Sequence, residues 1–305
     1  MSELLLTTDR LTKKYGKHMA VNGVSMHVER GAVYGFIGKN GAGKTTFMKM
    51  ITGLANPTSG SITLFGETGQ ELGRVRSKLG CLIEAPGIYP KLTAFENMQL
   101  KTLAMGRYNK EYINELLELV GLGDTKKKKS GQFSLGMRQR LGIALALVGE
   151  PEMMVLDEPI NGLDPQGIVE VRETIHRLST ERGITILISS HILDELSRIA
   201  THYGIINNGE LIRELSSEQL HNECSSRLDI TVKGAARAAA EILERMGIGF
   251  SLQGEDRIFV TEGIERSAEI NTALVQNGLA VSELTVRASA LEDYYLSLTG
   301  GAQNA

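Results

Sequence analysis

The sequence predicts an α/β fold with a mainly parallel core sheet over residues 1–220, followed by a small α+β domain over residues 221–305. Three observations carry this. The runs Val33-Tyr34-Gly35-Phe36-Ile37, Met153-Met154-Val155-Leu156 and Ile184-Thr185-Ile186-Leu187-Ile188 show little polar alternation. Such runs suit central strands covered on both faces. Amphipathic helical patterns, such as Tyr112 to Val120, lie between them, as an alternating α/β order requires. Beyond residue 220 the pattern changes to strand-helix-strand-strand-helix-strand, which matches the ferredoxin-like order.

The elements follow in chain order. The first thirty or so residues and Gly60-Ser61-Ile62-Thr63-Leu64 read as antiparallel strands beside the core sheet. In the second domain, Leu228 to Val232 reads as a strand. Ala235 to Gly247 reads as a helix, with Ala235, Ala239, Ile242, Leu243 and Met246 on one face. Residues 248–261 form a hairpin around Gly254-Glu255-Asp256, Glu265 to Asn277 a helix, and Leu279 to Val286 a strand. A last helix is expected from Ser289, where Ser289 and Glu292 have capping-box spacing. Its apolar side would carry Leu291, Tyr294, Tyr295 and Leu298.

Composition narrows the function classes. The chain has 305 residues, a length that favours about two domains. Its charge is 33 − 36 = −3, which argues against a bulk electrostatic grip on nucleic acid. Cys81 and Cys224 are far apart, so neither a disulfide framework nor a cysteine metal site is expected. Met1-Ser2-Glu3-Leu4-Leu5-Leu6 lacks the basic flank of a signal peptide. No run approaches the ~18 apolar residues of a membrane span. Work at a membrane would therefore go through partners.

Gly38-Lys39-Asn40-Gly41-Ala42-Gly43-Lys44-Thr45 fits the P-loop pattern G-x-x-x-x-G-K-[ST]. Glycines let the backbone turn with its N–H groups aimed at phosphates. The following helix presents its positive end to the same anion. Lys44 can reach the β- and γ-phosphates, and the Thr45 hydroxyl can bind Mg²⁺. A Gly-rich turn that merely precedes a lysine is the bland alternative. The strand before the turn and the helix after it favour nucleotide binding.

The Met153–Leu156 run ends in Asp157-Glu158-Pro159. A strand that delivers carboxylates to the mouth of a parallel sheet supplies the second half of such a site. Asp157 is expected to hold Mg²⁺. Glu158 is placed to orient and deprotonate a water that attacks the γ-phosphate. Ile188-Ser189-Ser190-His191 repeats the geometry at a third strand end, and His191 is a candidate γ-phosphate contact.

Between these lies Phe133-Ser134-Leu135-Gly136-Met137-Arg138-Gln139-Arg140. With the motifs above, residues 4–215 resemble an ABC-family ATPase, a P-loop NTPase with antiparallel β and helical subdomains. Ser134 to Gln139 resembles the family signature, departing from it at Leu135 and Met137. Asn161-Gly162-Leu163-Asp164 resembles the D-loop and Ser190-His191 the H-switch. The resemblance implies that ATP is bound by Tyr15, stacked on adenine, and by Gly38, Asn40, Gly41, Gly43, Lys44, Thr45 and Thr46. It also implies that Asp164 contributes to nucleotide binding and that Ser134 and Gly136 of a second copy complete the site, in an ATP-dependent homodimer. Catalysis would fall to Glu158 and His191 with Glu84, and Mg²⁺ to Thr45, Asp157 and Glu84.

Glu84 is a departure, since the family usually has Gln there. An ionised Glu only accepts hydrogen bonds, and it adds charge beside the phosphates. Glu84, the Ser-Leu-Gly-Met signature, Glu96-Asn97 and the tail Leu291-Glu292-Asp293-Tyr294-Tyr295 together resemble the ATP-binding subunits of bacitracin-resistance and lantibiotic-immunity exporters of the ABC-2 type. That branch implies separate integral-membrane permeases, a place at the cytoplasmic face of the membrane, and an antimicrobial peptide as cargo. Export of another compound, or a nucleotide-binding regulator with little turnover, are the alternatives. A chromosome or repair ATPase needs a long coiled coil between Lys44 and Ser134, and 134 − 44 = 90 positions leave no room. The segment from Glu84 to Asn97, with its exposed-looking Ala85 to Pro90, is expected to dock the permease. The Lys126–Lys129 run reads as a solvated junction, and the methionines as core filler.

Overall fold

The computed structural model describes residues 3–125, 127–223 and 227–287, together with Tyr294, Tyr295 and Leu298. Lys126, Cys224 and most of the helix expected from Ser289 lie outside the described residues. The chain divides into two compact units, Met1–Ser217 and Glu218–Ala305.

The first unit runs β1 (Leu4–Tyr15), β2 (His18–Val24), β3 (His27–Glu29), β4 (Val33–Ile37), α1 (Lys44–Thr52), β5 (Ser59–Leu64), β6 (Glu67–Thr68), α2 (Leu72–Val75) and β7 (Leu79–Leu82). It continues through α3 (Ala94–Ala104), α4 (Lys110–Leu119), α5 (Leu135–Leu147), β8 (Met153–Leu156), α6 (Pro165–Thr180), β9 (Thr185–Ser190), α7 (Leu193–Ser197), β10 (His202–Asn207) and β11 (Glu210–Ser216). A six-stranded sheet has the order β11-β10-β4-β9-β8-β7. Its pairs β10·β4, β4·β9, β9·β8 and β8·β7 are parallel, and β11 is antiparallel. A second, antiparallel sheet has the order β2-β1-β5-β6, with β3 also on β1.

Every residue of β4, β8 and β9 is buried. That is why their sequences lack alternation: both faces are covered. One core joins the two sheets and α1, with Leu6, Val28, Phe36, Phe47, Met48, Met153 and Leu187 all in it. Phe36 and Phe47 meet at 5.0 Å between ring centroids, tilted by 50°. Each such side chain contributes ~1.5–3 kcal/mol on burial. Met26, Met48 and Met50 are fully buried, as core filler should be.

Each helix of the α3–α5 region starts on a local signal. Thr93 and Glu96 form a complete capping box on α3. Asn109 caps α4 by accepting from Tyr112 N at 2.9 Å. Helix α5 is buried nearly all round, which explains its lack of an amphipathic pattern. It packs closely on the segment after β7. A Cβ added at Gly142 would lie 2.6 Å from Pro86 Cβ and 3.0 Å from Leu82 Cδ1.

The second unit begins within α8 (Ser217–Glu223). It continues β12 (Arg227–Val232), α9 (Ala236–Arg245), β13 (Phe250–Gln253), β14 (Arg257–Val260), α10 (Ser267–Gln276) and β15 (Val281–Arg287). Its sheet order is β13-β14-β12-β15, with every pair antiparallel. Buried Leu228, Ile230 and Val232 alternate along β12 with partly exposed residues. They pack with Ala239, Leu243, Ile270 and Leu274 in a core of their own. One-sided burial of this kind gives the alternation that β4 lacks.

Candidate functional site

Strand β4 delivers the chain into the turn 38–43. Gly43 stands there at φ +108°, and a Cβ would lie 2.5 Å from Ala20 O, so only glycine fits. Helix α1 starts at Lys44 with no side-chain cap. Its first N–H groups are thus left for an anion. Lys44 is only 5% exposed. Its Nζ donates to Gly38 O at 2.5 Å and Lys39 O at 3.3 Å. It also lies 3.0 Å from Glu158 Oε1. A buried ammonium needs such partners.

The ends of β8 and β9 bring the acidic side chains to this turn. Asp157 is buried. Its Oδ2 accepts from Thr45 Oγ1 and its Oδ1 from Ser189 Oγ, each at 2.7 Å. The register Leu156↔Ile188 sets Ser189 level with Asp157. Ser189 Oγ also accepts from Glu158 N at 2.9 Å, so one hydroxyl orders both carboxylate residues. Glu158 stands at φ +49°, a costly conformation for a residue with a Cβ. Its Oε2 is 2.8 Å from His191 Nδ1, in hydrogen-bond contact. Its Oε1 is buried and faces the Lys44 ammonium at 3.0 Å as an ion pair, without hydrogen-bond geometry. Lys44, Thr45, Asp157, Glu158 and His191 are therefore one connected cluster at the carboxyl ends of parallel strands, where ligands bind in such sheets.

The donor set fits a triphosphate with a hard divalent cation. Among the described residues no group of three or more His, Cys, Asp or Glu could hold a metal alone. Thr45 and Asp157 offer two oxygen ligands side by side. That suits Mg²⁺, which is held by one or two carboxylates plus substrate phosphates and waters.

Glu84 does not join this cluster. The register Leu82↔Leu156 sets it level with Glu158 on the neighbouring strand, and it too has a positive φ, +63°. Yet its side chain is 64% exposed and its Oε1 lies 2.5 Å from Lys49 Nζ. Lys49, which the sequence reading passed over, is held above the ordinary lysine range. The hydrogen bond to Glu84 is the main cause, opposed by desolvation and reinforced by the charges of Glu84 and Asp157. Tyr15 ends β1 half exposed, with Lys13 Nζ 4.9 Å above its ring. A half-exposed ring at this place could stack on a flat ligand.

Ser134, Gly136 and Asp164 form a separate group. Ser134 caps α5, accepting from Met137 N at 3.2 Å. Asp164 caps α6, accepting from Gly167 N at 3.2 Å. The two helix starts touch, since a Cβ at Gly136 would lie 3.4 Å from Gly167 Cα. Ser134 is exposed. A groove of about 640 Å³ lies elsewhere on the unit, lined by Cys81, Ile83, Pro86, Tyr89, Leu100 and Met105 among others. Desolvation pushes the Cys81 thiol up to about 11.

Comparison with known proteins identifies the family. The ABC transporter family model matches residues 21–161. The chain is 42% identical over 303 residues to the bacitracin transport ATP-binding protein BcrA of Bacillus licheniformis, covering 99% of each protein. It is 47% identical over 210 residues to the lantibiotic transport ATP-binding protein SrtF of Streptococcus pyogenes, covering 69% of this chain and 90% of that protein. Among solved structures, the dimeric post-hydrolysis state of the ATP-binding cassette MJ0796 with ADP and Pi superposes with a TM-score of 0.62. It shares 25% identity and covers 70% of this chain and 98% of that one. No helix among the described residues is long and apolar enough to cross a membrane. With a P-loop cluster built as above and relatives matched along its whole length, the chain belongs to the ATP-binding subunits of ABC transporters.

Proposed function

We propose that this chain binds ATP with Mg²⁺ and hydrolyses it to drive export of an antimicrobial peptide or peptide antibiotic through separate integral-membrane permeases. The observation that carries the ATPase reading is the cluster in which Glu158 touches both Lys44 and His191. The cargo reading rests on similarity to transport proteins for bacitracin and lantibiotics.

In this reading Lys44 exchanges its contacts with Gly38 O, Lys39 O and Glu158 for β- and γ-phosphate oxygens. The backbone N–H groups of the turn and the start of α1 hold the same anion. Thr45 and Asp157 would hold Mg²⁺, which would supply charge neutralisation to the bound phosphates. Glu158, released from Lys44, takes a proton from the attacking water, while His191 Nδ1 keeps Oε2 oriented. The γ-phosphorus gains the water oxygen and loses its bond to ADP. Ser134 and Gly136 lie in a group apart, so the reading assigns them to the nucleotide of a second copy. ATP then joins two subunits, and its hydrolysis parts them. The groove beside Pro86 and Tyr89 receives the permease. The chain works as a peripheral subunit at the cytoplasmic face of the membrane, with no role for nucleic acid.

The test has two parts. Purified protein should release phosphate from ATP in the presence of Mg²⁺, and Glu158→Gln should stop this and accumulate an ATP-bound dimer. Co-expression with its permeases should raise the tolerance of a sensitive host to bacitracin or a lantibiotic, and Lys44→Ala should remove the gain. Phosphate release without any change in tolerance would keep the ATPase and reject the cargo.

A further inference from the structure

The segments that leave β7 and β8 carry three carboxylates, those of Glu84, Asp157 and Glu158, with Glu84 level with Glu158 in the strand register. Each is offset differently. Asp157 accepts two hydroxyl hydrogen bonds, from Thr45 and Ser189. Glu158 meets Lys44 and His191. Glu84 meets Lys49 at 2.5 Å. Lys44 and Lys49 lie on one helix, 49 − 44 = 5 residues apart. At 3.6 residues per turn they point about 140° apart, so one helix serves two neighbouring strand ends with one cation each.

The backbone at Glu84 is also constrained. Its φ of +63° is rarely adopted by residues with a Cβ and persists only where surrounding contacts hold it. Two residues on, Pro86 lies against α5 so closely that Gly142 has no room for a Cβ. The side chain of Glu84 thus leaves a fixed backbone, and the ammonium of Lys49 determines where its charge rests. Lys49 itself stays charged, since Glu84 and Asp157 both favour its protonated form.

We infer, resting on the ATPase reading above, that Lys49 is a positioning residue for Glu84: it holds this additional carboxylate against α1 and away from the Lys44–Asp157–Glu158 cluster, so that incoming ATP does not face an unpaired third negative charge. Lys49 is then the local reason why a glutamate can stand at position 84. It does not touch the reacting atoms.

The inference is tested by a double-mutant cycle on the full-length purified chain. ATP with Mg²⁺ is the probe. Two quantities are read: equilibrium affinity for a fluorescent ATP analogue, and KM and kcat for phosphate release. Lys49→Gln should weaken affinity and raise KM by about three- to tenfold while Glu84 is present, with a smaller change in kcat. The same substitution made on Glu84→Gln should move neither quantity, because no charge remains to be held. Lys49→Arg should restore wild-type values in the Glu84 protein. Equal losses from Lys49→Gln in both backgrounds would mark Lys49 as a structural residue and overturn the inference. So would no loss in either background, or failure of Lys49→Arg to restore affinity. If the unmodified chain neither binds nor hydrolyses ATP, the ATPase reading falls first and the inference with it. Wild-type turnover with a background-independent Lys49 effect rejects the inference alone.

Discussion

Helices α1 and α5 both begin at residues that the sequence marks as phosphate-binding, and they begin in opposite ways. The start of α1 has no side-chain cap, follows a glycine at positive φ and buries its lysine. The start of α5 is capped by its own Ser134, exposed and locally complete. The first arrangement is costly unless an anion fills it, since unsatisfied helix N–H groups are left beside a buried cation. The second asks nothing of its own chain and presents a helix N-terminus outward. The difference teaches that the first start leaves its N–H groups open to a ligand, whereas the second is satisfied by its own chain.

Four substitutions break or sharpen this contrast. Glu158→Gln should have the largest effect, lowering phosphate release by about 10³-fold while ATP still binds, because a positioned general base contributes 10²–10⁴-fold. Rapid single-turnover assays beside equilibrium binding would separate the two quantities. Lys44→Ala should cut affinity for ATP by about 10²-fold, as loss of charge-assisted hydrogen bonds to phosphate implies. Calorimetric titration reads this directly. Ser134→Asp should keep the α5 cap, since Asp caps as well as Ser. It sets a carboxylate where a second copy's γ-phosphate would sit, so hydrolysis should fall at least about tenfold with the melting temperature unchanged. Unchanged turnover would reduce Ser134 to a cap. Thr93→Ala should do least for function and something for the fold. Loss of its box should cost about 1 kcal/mol in urea unfolding, leaving nucleotide affinity as it was.

Much of this was legible because it is local. A strand run, a glycine turn and a lysine are contiguous, and so are β8 and Asp157-Glu158. The fully buried β4, β8 and β9 announced themselves by lacking alternation. What could not be read depends on register and on distant pairing. Ser189 sits inside an apolar run, and only its parallel alignment beside β8 makes it the hydroxyl that orders Asp157 and Glu158. Tyr34 reads as an apolar strand residue, yet its hydroxyl donates to Glu214 at 2.6 Å, 180 positions away. Lys49 is one polar residue on an amphipathic helix until β7 brings Glu84 to it. Asn97, grouped by sequence with an outward docking segment, is buried and ties Tyr89, Thr93 and Ser130 together. Strand β10 carries no motif, although Tyr203 to Ile206 are buried as β9 is. The Thr93-x-x-Glu96 box was a local signal in plain view.

The missing side chain at position 142 has a mechanical consequence. Helix α5 rises about 12 Å from Ser134 to Gly142, and at Gly142 it presses on Pro86 with no gap. The joint leaves no slack between helix and loop. Pro86, the bearing point on that helix, lies in the stretch that runs from Glu84 to the exposed Tyr89. Even one methyl inserted at that joint would hold the loop permanently off its seat.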